Sequence, residues 1–374
     1  MLQVLLYNTI KGVVGAACRV VLSEGFSAKY AKVRQRRTFF DPAAYDTRRN
    51  KGLYFFMPAV QKRRFNKSFM MYVLLILGFV LLIKGADYFV DGASSVAKLL
   101  KIPSVIIGLT IAAIGTSAPE AAVSISAGLS GNSDIALSNV VGSNMFNLLV
   151  VLGVSAVICP MMSDQSILKR DIWWSLGATA AVFVMMLDMK ISRVEGILLL
   201  CGLVTYLVIL VRSALKNRTE GEEVKTMSPL KSVICIIGGL AAVAIGGDLV
   251  VDNAVLIAQT LGMSETFIGL TIIAMGTSLP ELVTSIVAAK KGDSGLALGN
   301  VVGSNIFNFL FILGMASALT PINASSALLV DVAIIAASTL VVYVFGKTGN
   351  KTTRWEGAAC LAIYAAYAAY ITIR

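Results

Sequence analysis

Two glutamates stand where a carboxylate is expensive. Glu120 and Glu281 each fall inside a long apolar stretch of the chain. A lone carboxylate at such depth in a bilayer costs about 2.5–3.5 kcal/mol or more, so it needs a partner or a task. No Lys or Arg lies at comparable depth in the same stretches, which leaves a bound cation as the natural partner. Each glutamate closes the motif G-T-S-x-P-E, at 115–120 and 276–281. Glycine and proline break a helix there, and a break frees backbone carbonyls to act as cation ligands. Thr116, Ser117, Thr277 and Ser278 add neutral hydroxyl oxygens. A second motif, G-S-N-x-F-N at 142–147 and 303–308, offers Ser143, Ser304, Asn147 and Asn308, with glycine again expected to break the helix. Two carboxylates among neutral oxygens suit a hard cation such as Ca²⁺, which takes 6–8 oxygens. No soft ligands point to copper or zinc. The small residues of both motifs equally suit close helix packing, above all Gly108, Gly142, Gly269 and Gly303.

The composition demands a membrane. Of 374 residues, 57% are hydrophobic and 14% charged, with a mean hydropathy of +0.80. Soluble domains run about 45–50% apolar and roughly 25% charged, so a soluble enzyme, a disordered chain and a disulfide scaffold are excluded. The absence of histidine removes H-E-x-x-H zinc sites, Ser-His catalysis and histidine proton relays. The five cysteines form no C-x-x-C and read as buried small hydrophobes. No enzyme chemistry is expected, since no nucleophile–base pair is visible.

Ten apolar stretches follow residue 69, near 69–90, 103–128, 136–158, 172–189, 194–212, 231–252, 265–289, 297–319, 328–346 and 355–373. They fall into two copies. G-L-T-I-A-A-I-G-T-S-A-P-E at 108–120 answers G-L-T-I-I-A-M-G-T-S-L-P-E at 269–281, and N-V-V-G-S-N-M-F-N at 139–147 answers N-V-V-G-S-N-I-F-N at 300–308, always 161 residues apart. The same offset pairs Asp87 with Asp248 and Asp91 with Asp252, which read as interfacial carboxylates, with Lys84 one turn from Asp87. Five helices per copy is an odd number, so the second copy enters from the opposite side. The expected fold is therefore all-α and membrane-integral: ten spans as two inverted five-helix repeats, 69–213 and 231–374, around broken helices. A cytoplasmic linker, 214–230, joins them.

Charge placement supports the inversion. The net charge of +11 sits wholly in residues 1–67, which hold 14 Lys/Arg against 3 Asp/Glu. That excess marks a basic tail, 1–68, read as a membrane-surface segment or an extension outside the working protein, and not a nucleic-acid site. In the core, the loops that the positive-inside rule assigns to the cytoplasm carry 14 Lys/Arg and the external ones two.

The doubled G-T-S-x-P-E and G-S-N-x-F-N motifs resemble the paired alpha repeats of the calcium/cation antiporter family, the sodium/calcium exchangers, over residues 69–374. The ten-helix bacterial and archaeal members are nearest in layout. The resemblance implies broken second, third, seventh and eighth helices around a central site, with the first and sixth lying obliquely across them. It implies that Glu120, Glu281, Thr116 and Thr277 hold calcium. It implies that the Ala113 and Ala274 carbonyls, Ser117, Ser278, Ser143 and Ser304 serve sodium, and that Asn147 and Asn308 line the middle. Potassium-dependent relatives end the second motif in Asp; here both copies end in Asn, which argues against potassium co-transport. Proton-coupled relatives usually show G-N-A-x-E, so the Thr-Ser pair favours sodium; a proton-coupled antiporter and a passive cation channel are the rivals. Calcium and sodium are cargo, and no cofactor is expected. The bilayer is the surrounding partner, in a bacterial inner or other plasma membrane, and the expected state is a monomer. Cysteine placed at Ser228 is expected to react with membrane-impermeant maleimide only after the cytoplasmic face is opened; labelling of intact cells from outside would overturn the orientation.

Overall fold

Apolar residues in a medium without water leave the backbone no partner but itself, so the chain coils into helices wherever proline and glycine permit. A computed structural model describes residues 57–216, 226–263 and 274–373. Among these residues, helix α1 (Met57–Leu100) is followed by α2 (Ser104–Thr116) and α3 (Ala118–Leu129), a pair bent by 50°. Next come α4 (Ser133–Ile158), α5 (Ile167–Asp188) and α6 (Arg193–Lys216). The second part holds α7 (Pro229–Thr260), a single turn α8 (Ala274–Gly276), α9 (Leu279–Lys290), α10 (Ser294–Leu319), α11 (Ser326–Asn350) and α12 (Arg354–Ile373). Eight of the described helices are long and apolar enough to cross a membrane, nine when the bent α2–α3 pair counts as one span. The chain is a multi-pass integral membrane protein.

Local conformation repeats at the same 161-residue offset as the sequence. Gly131 and Gly292 end their helices at φ +75° and +79°, a left-handed conformation that glycine adopts without strain. Met189 and Asn350 are both left-handed, as are Lys101 and Gly262. Two-residue strands cross between the copies: Met161–Met162 pairs with Lys351–Thr352, and Lys190–Ile191 pairs with Ile322–Asn323. Capping boxes open α6 and α12: Glu195 accepts the Ser192 N–H and hydroxyl at 2.7 Å each, and Glu356 accepts those of Thr353 at 2.6 and 2.8 Å. Glu195 and Glu356 therefore close the starts of these two helices.

Several expectations are corrected. α1 is helical from Met57, upstream of the first repeat's start at 69, and the residues before Met57 lie outside the described residues. α1 and α7 run on to Leu100 and Thr260, with no proline to stop them before Pro103 and Pro280. The aspartates therefore sit within helices. Asp87 and Asp91 are 36% and 54% exposed; Lys84 pairs with Asp87 at 3.8 Å, and Lys291 reaches Asp91 at 2.7 Å and Asp87 at 3.4 Å. Of the described cysteines, Cys360 is buried, Cys159 and Cys235 are half-buried and Cys201 faces outward. The first part of the seventh stretch, with Gly269, and the middle of the linker lie outside the described residues.

The loops that carry the core's positive charge gather at one end. The Met162 N–H donates to Ser294 at 3.2 Å, the Ser163 N–H to the Asn350 carbonyl at 2.9 Å, and the Met227 N–H to Ser95 at 3.0 Å. Asp293 there accepts hydroxyls from Ser94 and Ser104, both at 2.6 Å, tying α1 and α2 to the start of α10.

α1 and α7 cross antiparallel along a glycine seam. A Cβ on Gly85 would stand 2.9 Å from the Gly239 carbonyl, one on Gly239 2.6 Å from the Phe89 nitrogen, and one on Gly246 2.7 Å from the Leu82 nitrogen. The seam repeats every seven residues: Gly78, Gly85 and Gly92 on one helix, Ser232, Gly239 and Gly246 on the other. Only small residues let backbones approach this closely. Gly239→Ala is expected to lower stability by about 1–3 kcal/mol, the usual cost of overpacking. Gly238→Ala, whose Cβ would meet nothing within 4 Å, should be neutral; equal thermal melting of both variants in detergent would refute the seam.

Candidate cation site

Each G-T-S-x-P-E motif stops one helix and starts another. At Ser117 (φ −81°, ψ 9°) α2 ends, and α3 begins with Pro119 in its first turn. Proline fits there because its missing N–H would have no intrahelical acceptor. Ser278 (φ −91°, ψ 8°) and Pro280 do the same between α8 and α9. Glu120 and Glu281 thus sit in the first turns of α3 and α9, where the positive end of the helix dipole favours a carboxylate. Both are wholly buried.

The two breaks clasp each other. The Ser117 hydroxyl donates to Glu281 Oε1 at 2.8 Å, and the Ser278 hydroxyl donates to Glu120 Oε1 at 3.0 Å. Each carboxylate is held by the serine of the other motif. The second oxygen of each, Oε2, is buried with no hydrogen-bond partner. So are Thr277 Oγ1, the hydroxyls of Ser143 and Ser304, both amide atoms of Asn147 and the Asn308 amide oxygen. Buried polar atoms without partners are rare and costly. Here, seven of the twelve residues singled out from sequence carry such atoms. The donor set consists of oxygens apart from the Asn147 amide nitrogen; among the described residues no group of three His, Cys, Asp or Glu forms a conventional metal cluster. Two anionic and several neutral oxygens, free to accept from nothing in the protein, fit a hard cation.

The remaining expected residues are placed differently. Thr116 donates its hydroxyl toward the Ala112 carbonyl (3.0 Å) and the Asn300 amide oxygen (3.2 Å). The Ala113 carbonyl accepts the Ser117 N–H at 3.1 Å, so the break does not leave it unbonded. Ala274 opens the α8 turn. Asn308 donates its amide to Asn144 at 3.0 Å. The expected break at Gly142 and Gly303 is absent. Both glycines lie inside continuous helix, and the irregularity comes at the next asparagine, where wide π-turns run over Asn147–Val151 and Asn308–Leu313. Gly303 serves packing instead, its missing Cβ leaving room for Leu109 and Ala113 of α2, and Gly108 lies against Leu296 and Gly299 of α10. That contact is why a residue of α2 can bond Asn300.

Sequence reasoning missed the asparagines that fasten the breaks. The Asn139 amide donates to the Glu120 carbonyl (3.3 Å) and to Ser124 (2.9 Å). The Asn300 amide donates to the Glu281 carbonyl (3.4 Å) and to Ser285 (3.0 Å). The signal was present: Asn139 and Ser124, polar within apolar stretches, recur at the offset as Asn300 and Ser285.

Comparison with known proteins bears on this geometry. A family model for the sodium/calcium exchanger protein matches the chain twice, over residues 70–212 and 231–373. The chain is 38% identical over 307 residues to the "Putative antiporter CaxA" of Alkalimonas amylolytica, covering 79% of this chain and 96% of that one. It is 34% identical over 338 residues to "Sodium/calcium exchanger MaX1" of Methanosarcina acetivorans, covering 79% and 97%. A solved structure of the sodium-calcium exchanger NCX_Mj superposes with a TM-score of 0.71 at 35% identity, over 81% of this chain and 99% of that one. These relatives are exchangers and antiporters, not enzymes.

Removing an asparagine side chain strands its hydroxyl and carbonyl partners, at a cost of about 1–3 kcal/mol. Asn300→Ala is expected to lower the thermal midpoint more than Asn139→Ala, since it loses three bonds rather than two. The reverse order in a melting assay would contradict the assignment.

Proposed function

The chain belongs to the sodium/calcium exchanger family, and we propose that it is a secondary active antiporter exchanging calcium for sodium by alternating access. The carrying observation is the pair Glu120 and Glu281, each held through one oxygen by the opposite serine and presenting the other oxygen to no protein donor. Their charges balance one Ca²⁺. Thr277, Ser143, Ser304, Asn147 and Asn308 supply neutral oxygens, and Ser117 and Ser278 keep lone pairs for a cation while donating their protons to the carboxylates. Thr116 and the Ala113 and Ala274 carbonyls complete the proposed set. The neutral Asn147 and Asn308 leave no third carboxylate, so exchange runs on sodium without potassium.

We further read the fold as ten spans in two inverted five-helix halves, 69–213 and 231–374, with the 214–230 linker in the cytoplasm of an inner or other plasma membrane. The double family match, the strands that cross between copies and the offset-related turns support this reading. If three Na⁺ replace one Ca²⁺, one net charge crosses per cycle, worth about 2.3 kcal/mol per 100 mV.

The test is calcium flux in proteoliposomes under imposed sodium, proton or potassium gradients. Sodium alone is expected to drive uptake; a proton requirement would select the proton-coupled reading, and flux without any counter-ion would select a channel. At an effective dielectric of about 20, one charge acting on a divalent ion at about 2.5 Å is worth on the order of 13 kcal/mol before desolvation. Even about 3 kcal/mol surviving that penalty weakens binding more than 100-fold. Glu120→Gln and Glu281→Gln are each expected to abolish exchange at micromolar calcium while the protein still inserts. Near-normal flux in both would overturn the site.

A further inference from the structure

A groove of about 540 Å³ opens between α5 and α6 on the outside of the bundle, away from the glutamates. We infer that it is a built site for one monoanionic phospholipid of the cytoplasmic leaflet, its phosphate at Lys169 and Arg170 and one tail lying along the groove.

Lys169 and Arg170 stand at the first turn of α5, at the end of the bundle where the core's positive loops gather. Arg170 is pre-oriented: its Nε and Nη2 donate to Asp171 at 2.8 and 2.9 Å, and the Tyr206 hydroxyl of α6 braces Asp171 at 3.1 Å. Asp171 neutralises Arg170 but leaves it further N–H donors. Exposed Lys169 and the remaining N–H donors of Arg170 then give the mouth cationic donors for a phosphodiester, while Asp164 beside them is engaged by the Ser166 N–H and hydroxyl. Trp173 and Trp174 follow at the depth where amphipathic rings mark the membrane interface. Beyond them the lining is apolar and small, Gly177 on α5 and Gly202 on α6, with Leu310 of α10 as the floor. From Lys169 to Met185 the wall runs about 24 Å along the helix, most of the roughly 30 Å hydrocarbon core. Basic pockets between transmembrane helices on the cytoplasmic side recognise anionic head groups.

The second copy provides an internal comparison. At the 161-residue offset Lys169, Arg170, Trp173, Trp174, Gly177 and Gly202 become Val330, Asp331, Ile334, Ile335, Ser338 and Ile363. The cations, the interfacial rings and the two glycines are all lost together. In the inverted arrangement that copy faces the other leaflet.

Gly177 offers a clean probe, because a Cβ there would meet nothing within 4 Å. Gly177→Leu puts a side chain into the groove from an unobstructed Cβ and leaves every charge in place. Purified full-length protein is mixed with phosphatidylglycerol or phosphatidylcholine in detergent, and retained lipid is counted by native mass spectrometry. The wild type is expected to retain one phosphatidylglycerol at least tenfold more strongly than phosphatidylcholine. Lys169→Gln should erase that preference, and Gly177→Leu should weaken retention at least tenfold with the melting temperature unchanged. Adding millimolar glycerol phosphate should not displace the lipid, since the tail supplies part of the binding; displacement would assign the mouth to soluble phosphates and overturn the lipid site. Undiminished retention in Gly177→Leu, or no preference in the wild type, would overturn it as well.

Discussion

Two carboxylates buried in an apolar bundle, each satisfied through only one oxygen, set the terms for everything around them. Burial of a charge is tolerable only against compensation, and among the described residues no Lys or Arg forms an ion pair with either glutamate. The chain compensates with geometry. Helix breaks point two helix N-termini at the carboxylates, prolines make those breaks permanent, and crossed serines fix the pair relative to one another. Asn139 and Asn300 fasten each break to the following helix through the carbonyl of the glutamate itself. Glycines at Gly108, Gly299 and Gly303 bring α2 and α10 close enough for the clasp to close. A site built this way is fixed in its frame and leaves buried oxygens without partners in the protein.

Much of this was legible in the residues. Proline and glycine beside an acidic residue in an apolar run state a break and a charge at once, and the 161-residue offset told which pieces belong together. The limits lay where two physical effects share one sequence signature. Glycine in a membrane helix marks either a break or a close approach, and only the partner surface decides; at Gly303 the partner is Leu109, far away in sequence. The π-turns begin at the closing asparagine of the second motif in both copies, Asn147 and Asn308, and not at the glycine five residues earlier. The extent of α1 was underestimated because Asp87 and Asp91 read as an end, whereas Lys291 from a distant loop lets the helix continue beneath them. Asp171 is fully buried, since Arg170 and Tyr206 satisfy it from both sides.

The two copies are alike in backbone and unlike in detail. Thr116 is engaged by Asn300, whereas Thr277 has no partner. Asp293 caps α10 and gathers two serines, while Asn132, its counterpart, makes no side-chain cap. Repetition provides the frame; divergence within it gives each copy its own set of hydrogen bonds.

The glycine seam between α1 and α7 has a consequence for inheritance. Every single-base change in a glycine codon that alters the residue adds atoms at Cβ, and at Gly85, Gly239 and Gly246 those atoms would meet backbone that has nowhere to go. Drift through small steps, the route by which most membrane surfaces diversify, is closed at these positions. A lineage could leave the seam only by changing both helices together, so the two helices must be inherited as a matched pair.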